Sequence, residues 1–281
     1  MSASSSTGST GSTGSFVTID YPRPDIAVVT LNRPERMNSM AFDVMVPLRE
    51  VLQSISADNA IRVVILTGAG RGFCSGADQS GERGTMPNTS GLTGVTIALR
   101  AMELLEDLIT TIRSMHQPVI AAVNGAAIGG GLCLALACDV RIAGESAYFR
   151  AAGINNGLTA SELGLSYLLP RAVGSSRAAE IMLTGRDVDG AEAASIGLVS
   201  RVVPDSDLLP SALETAEAIC GWSRPGIELT KRTLIDAQAA GAFEAHMHSE
   251  GIGQLLIRLT TRNFDEAIAA RKEKRSPEFR D

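Results

Sequence analysis

Residues 117–143 read QPVIAAVNGAAIGGGLCLALACDVRIA. Three signals follow one another in this stretch. PVIAAV (118–123) is a short apolar run containing β-branched residues, the pattern of a strand buried on both faces. NGAAIGGG (124–131) is a loop of small residues, and LCLALAC (132–138) is an apolar helix opened by the triple glycine. Residues 139–143 return to a strand pattern. A buried strand, a glycine loop and a helix in succession argue for parallel strands in an α/β layer architecture. Residues 118–137 are also the most membrane-like part of the chain. Pro118, Asn124 and four glycines interrupt them, so no membrane span is expected.

The same unit recurs upstream. DIAVVTL (25–31) predicts a strand closed by Asn32-Arg33-Pro34, and Met45, Leu48, Val51 and Leu52 give helical spacing over 40–55. IRVVILT (61–67) predicts a second buried strand, followed by a glycine-rich turn that leads into FCSGAD (73–78). Residues 97–115 read as a helix and 198–203 as a strand. Beyond about Pro204 no strand pattern remains; 207–221, 225–240 and 243–273 read as helices, with Pro210 and Pro225 near helix starts. The expected organisation is a disordered Ser/Thr/Gly tail (1–15), a core (16–204) and a C-terminal helical region (205–281).

Bulk properties narrow the function. The chain has 281 residues, enough to bury a sizeable core, and a net charge of −6, so no global basic field attracts nucleic acid. Cys74, Cys133, Cys138 and Cys220 include no CxxC pair and are expected to be reduced thiols of a cytoplasmic protein. His246 and His248, at i and i+2, point to different sides of a helix, so no metal site is expected.

Both glycine loops follow a buried strand and present small residues, which lets a ligand approach the backbone. The second opens a helix, where free N–H groups favour negative charge. Two such groups converging on one point would form an oxyanion hole. Glycines after strands more often serve tight turns or close packing. A dinucleotide site is excluded by the lack of GxGxxG after the first strand, and a P-loop by the lack of GxxxxGK[ST].

Five segments carry more specific information: LNRPERMNSM (31–40), RGFCSGAD (71–78), residues 117–143, LTGRDVDGAEAASIGLVSRVV (183–203) and EAIAARKEKRSPEF (266–279). In order and spacing they resemble the enoyl-CoA hydratase/isomerase (crotonase) superfamily over about residues 16–281, in particular actinobacterial paralogues labelled enoyl-CoA hydratase. The resemblance implies a crotonase-like spiral of ββα turns, with a C-terminal helical region that mediates trimers or hexamers (dimers of trimers). It implies an acyl-CoA thioester substrate and no cofactor beyond the coenzyme A of that substrate. By motif match, the N–H groups of Ala77 and Gly130 would hold the thioester oxygen. Arg36 and Met37 match the segment that lines the CoA groove. Ser75 and Asp78 join them as substrate-side residues, although a helix cap or loop tie is the simpler role for Asp78.

The resemblance also exposes departures. Hydratases of the family carry two glutamates; the matching positions here are Cys133 and Gly153, and neither residue can move the same protons. Cys133 reads as a buried structural thiol. Glu162, in LTASELGLSY, is the candidate proton carrier, its alternative being a first-turn cap of a helix starting at Thr159 or Ser161. Lys272, Lys274 and Arg275 read either as a solvated helix face or as a CoA phosphate contact. The expected function is an enoyl-CoA hydratase or isomerase with a rearranged acid–base set. The alternatives are a non-catalytic acyl-CoA-binding protein and a ring-closing synthase, faintly suggested by Ser166-Tyr167.

Overall fold

The computed structural model describes residues 16–80 and 84–280; the tail expected over 1–15 lies outside the described residues. The chain begins with β1 (Val17–Arg23), β2 (Ile26–Leu31), α1 (Phe42–Ala57), β3 (Val63–Gly68), β4 (Gly72–Cys74) and α2 (Gly94–Ser114). It continues through β5 (Val119–Val123), β6 (Ala126–Ile128), α3 (Gly130–Ala137), β7 (Val140–Gly144), β8 (Tyr148–Arg150) and α4 (Leu165–Val173). Then come α5 (Ser175–Thr184), β9 (Asp187–Asp189), α6 (Gly190–Ser195) and β10 (Arg201–Val203), followed by the helices α7 (Leu208–Cys220), α8 (Arg224–Ala237), α9 (Phe243–Thr260) and α10 (Asn263–Glu273).

Six strands form one sheet in the order β1-β2-β3-β5-β7-β10, and four form another in the order β4-β6-β8-β9. Apart from the antiparallel pairs β1–β2 and β8–β9, all neighbours are parallel. The chain therefore climbs as a spiral. β3 and β4, β5 and β6, and β7 and β8 each give one strand to either sheet before a helix closes the turn. This is the expected crotonase-like α/β architecture. β2, β3, β5, β7 and β10 of the first sheet coincide, within a few residues, with the strands expected from the sequence, whereas β1, half polar and exposed along most of its length, is not among them. β2 alternates across the sheet: Ala27, Val29 and Leu31 enter the main core with Leu48, Leu66 and Val123. Ile26 and Val28 face the other way, onto Leu208, Ala212 and Ala216 of α7.

The most membrane-like stretch is β5, β6 and α3, and among the described residues no helix is long and apolar enough to cross a membrane. The helix expected over 243–273 is two helices. Thr261 takes extended backbone (φ −124°, ψ 166°) at the end of α9, and its hydroxyl accepts the Asn263 N–H of α10 at 3.3 Å. Threonine competes with the helix in this way, a signal that apolar spacing does not register.

α8 buries only Lys231, whose ammonium donates to Gln117 O at 2.9 Å and Ile112 O at 3.2 Å and pairs with Asp139 at 2.9 Å. α9 buries no residue at all, and Phe243, Ile252, Leu255, Leu256 and Leu259 are all exposed on it.

Candidate active site

The first glycine loop is held by the segment that follows β2. Arg33 donates to the Asp78 carboxylate at 2.9 Å, Ser39 Oγ donates to the same oxygen at 3.1 Å, and both Arg33 and Asp78 are buried. Ser80 donates its N–H (2.8 Å) and its hydroxyl (2.5 Å) to the other oxygen. The Ser80 hydroxyl, with the Ser80 N–H, Ser39 and Arg33, outweighs burial and holds the Asp78 carboxyl down at about 2. Asp78 is thus the tie of its loop, its carboxylate turned inward.

Asn38, fully buried at φ 53°, accepts the Arg33 N–H at 2.8 Å and donates to Gly72 O at 2.7 Å and Ala69 O at 3.0 Å. Asparagine tolerates this left-handed backbone better than most residues. Arg33, Asn38, Ser39 and Met40 all lie in or beside the quoted motif LNRPERMNSM. The sequence reading singled out only Arg36 and Met37 there. Arg36 is exposed, and the Met37 carbonyl accepts the Ser75 N–H of the loop at 3.0 Å.

Ala77 forms a parallel bridge with Met40. Met40 N donates to Gly76 O at 2.6 Å and Asp78 N donates to Met40 O at 3.2 Å. Because the flanking groups serve Met40, the N–H of Ala77 points to the opposite side of the strand. It has no acceptor among the described residues.

The second donor stands beside it. Gly129 (φ 54°) caps α3, leaving Gly130 as its first residue, whose N–H has no intrahelical acceptor. The loops touch: a Cβ on Gly76 (φ 80°) would lie 2.5 Å from Ile128 O and 3.4 Å from Gly130 N. Glycine is required at Gly76 by both conformation and space. A Cβ on Gly131 would fall 1.9 Å from Cys74 O, so α3 can approach the first loop this closely only without a side chain there.

Glu162 also reaches the second glycine loop. A Cβ on Gly129 would lie 3.1 Å from Glu162 Oε1, so the carboxylate rests against the start of α3. Burial raises its pKa. Among the described residues no cation pairs with it. The expected alternative, a first-turn cap, is corrected: α4 starts at Leu165 with Gly164 as its N-cap, and Glu162 precedes the helix with only its carbonyl accepting the Leu165 N–H at 2.8 Å.

The two positions where the resemblance sets the hydratase glutamates are closed. Cys133 is fully buried in α3; burial pushes its thiol up, and its Sγ donates to Glu162 O at 3.5 Å. A Cβ on Gly153 would sit 1.9 Å from Thr159 O, so no side chain fits there without moving the backbone. Of the C-terminal basic cluster, Arg275 binds Glu266 at 2.5 Å and Glu273 at 2.6 Å, and holds Glu266 at about 2.

Comparison with known proteins agrees with this geometry. The family model described as enoyl-CoA hydratase/isomerase matches residues 23–281. A Mycobacterium bovis protein named "probable enoyl-CoA hydratase echA12" is 67% identical over 267 residues, covering 95% of this chain and 93% of its own. A solved structure titled a probable enoyl-CoA hydratase/isomerase from Mycobacterium abscessus is 66% identical, with TM-score 0.91 over 95% of this chain and 98% of that one. A monofunctional enoyl CoA isomerase from M. smegmatis is 64% identical, with TM-score 0.71 over 83% of this chain and 98% of that one. These relatives are named as enzymes, and nothing in them supports the non-catalytic alternative. A spiral of paired strands, two abutting glycine loops and a match over nearly the whole described chain make this protein a member of the enoyl-CoA hydratase/isomerase family.

Proposed function

We propose that the protein is an enoyl-CoA double-bond isomerase in which Glu162 carries the proton and the N–H groups of Ala77 and Gly130 hold the thioester oxygen. The observation that carries this reading is the placement of one raised-pKa carboxylate at Gly129, in the second glycine loop, which itself abuts the first, while positions 133 and 153 offer no acid. One carboxylate suffices for isomerisation. Glu162 takes a proton from C2 of a 3-enoyl-CoA, and the C–H electron pair moves into the C1–C2 bond as the carbonyl oxygen becomes an enolate. The two N–H groups stabilise that charge. The electrons then return, C2–C3 becomes the double bond, and C4 takes the proton back from Glu162. No electrons are gained or lost and no water enters, so the reaction asks for no cofactor beyond the coenzyme A of the substrate. Hydration requires a further group to activate water. The names of the M. smegmatis isomerase and of an Arabidopsis thaliana dienoyl-CoA isomerase, 32% identical over 255 residues, favour the same reaction class.

Two further expectations belong to this reading. The uncovered α9 and a groove of about 810 Å³ against α8, lined by Trp222, Leu234, Met247, Ile257 and Phe279, support trimers or dimers of trimers formed through the region 205–281. Four free cysteines support a cytoplasmic protein. The test is an assay of 3-enoyl-CoA conversion to the conjugated 2-enoyl-CoA, run beside hydration of 2-enoyl-CoA. Glu162→Gln is expected to lower isomerisation by roughly 10²-fold or more while acyl-CoA affinity holds. Unchanged isomerisation in Glu162→Gln removes the proposed base.

A further inference from the structure

Leu163 is a γ-branched residue in left-handed backbone (φ 44°), followed by Gly164 at φ 81°. Leucine rarely adopts this conformation, and such a residue persists only where its surroundings over-determine it. Glycine adopts the same backbone freely, and the chain uses glycine at the next position. The side chain at position 163 is therefore retained for what it touches. It is buried at 8% exposure, and its Cδ1 would lie 3.5 Å from a Cβ on Gly130, in the pocket that Met40 Sδ also fills. Immediately before it, the Glu162 carbonyl is gripped twice, by the Leu165 N–H at 2.8 Å and by Cys133 Sγ at 3.5 Å. Burial keeps Cys133 a thiol and hence a donor.

We infer that Leu163 and Cys133 are positioning residues that clamp the segment bearing Glu162 against the start of α3. Leu163 wedges the backbone from the Gly130 side and Cys133 holds the Glu162 carbonyl, which together set the carboxylate against Gly129. Position 133, where the resemblance sets an acid in hydratases, here supports an acid displaced to 162. The inference rests on the reading of Glu162 as the proton carrier. The titratable group facing Glu162 from α3 is Cys133, so a change in the acid limb of the pH–rate profile reports on solvation of the carboxylate.

The experiment measures kcat, KM and the pH dependence of kcat for isomerisation by Leu163→Ala, Leu163→Gly, Leu163→Met, Cys133→Ala and Glu162→Gln, with thermal melts in parallel. Leu163→Ala and Leu163→Gly are expected to lower kcat roughly 10-fold or more with KM within about threefold, since a misplaced group loses turnover before binding. Their acid limb is expected to move down toward the ordinary glutamate range as water reaches the carboxylate. Cys133→Ala is expected to move the limb in the same direction. Leu163→Met, which keeps an apolar wedge, is expected to restore kcat and the pH profile. A purely structural role lowers the melting temperature but leaves kcat and the acid limb of the folded enzyme at wild-type values; that result in both Leu163→Ala and Cys133→Ala overturns the inference. Should Leu163→Gly fail to fold, Cys133→Ala, which leaves residue 163 intact, still decides. Wild-type turnover in Glu162→Gln would instead overturn the isomerase base itself, and the clamp with it.

Discussion

Replacing Asp78 with alanine tests how the first glycine loop is held. Asp78 and Arg33 are both nearly inaccessible, with side-chain exposures of 3% and 6%. Removing the carboxylate strands a buried guanidinium, and breaking one side of a buried pair costs about 3–5 kcal/mol. Two other carboxylates stay within range of Arg33, Asp43 at 3.8 Å and Glu35 at 3.9 Å. The lower end of that range, about 3 kcal/mol, is therefore expected. The pH dependence has a defined sign. The folded carboxyl lies at about 2, below its ordinary 3.8, so its contribution is fully present above the ordinary value and is lost as pH falls toward the folded one. Urea unfolding of wild type and Asp78→Ala at one fixed protein concentration, which keeps any self-association constant, measures both effects. The difference should be about 3 kcal/mol at pH 7 and should shrink between the ordinary and the folded value. Turnover should also fall, roughly 10²-fold if Ala77 shifts by about 1 Å. A loss below about 1 kcal/mol, the worth of an exposed ion pair, would refute the view that this buried tie holds the loop.

Glu162→Gln should raise stability at neutral pH while it lowers turnover. Burial sets the folded pKa of Glu162 above its unfolded value, so its favourable contribution exists below the unfolded pKa and disappears as pH rises through the folded one; melts at pH 7 and near pH 4 should show the Gln advantage only at the higher pH. Leu256→Asp or Leu259→Asp on the uncovered face of α9 should dissociate the proposed oligomer, and light scattering that finds the same mass for mutant and wild type would contradict this face as an interface. Thiol titration of the native protein should label Cys220 first, because Cys74, Cys133 and Cys138 are buried and burial pushes Cys74 and Cys138 up to about 12. Rapid labelling of all four without denaturant would count against the packing described for α3.

What could be read from the one-dimensional order was whatever repeats locally. β2, β3 and β5 announce themselves because strands buried on both faces must be apolar throughout, and α3 because its triple glycine opens an apolar run. The family resemblance lay in short segments with fixed residue identities, and both glycine loops came with it. Contacts between residues far apart in sequence were beyond that reading. Arg33 and Asp78 are 45 residues apart, and Asn38 reaches Gly72 across 34; neither separation leaves a periodic trace. The strands of the second sheet, three residues each, are too short for alternation to show. Glu162 was equally consistent with a helix cap until the path of the chain was known. Only the folded backbone, turned left-handed at Leu163 and Gly164, starts α4 beyond it and brings its carboxylate to Gly129, because a side chain's neighbours across the core depend on how the whole spiral closes.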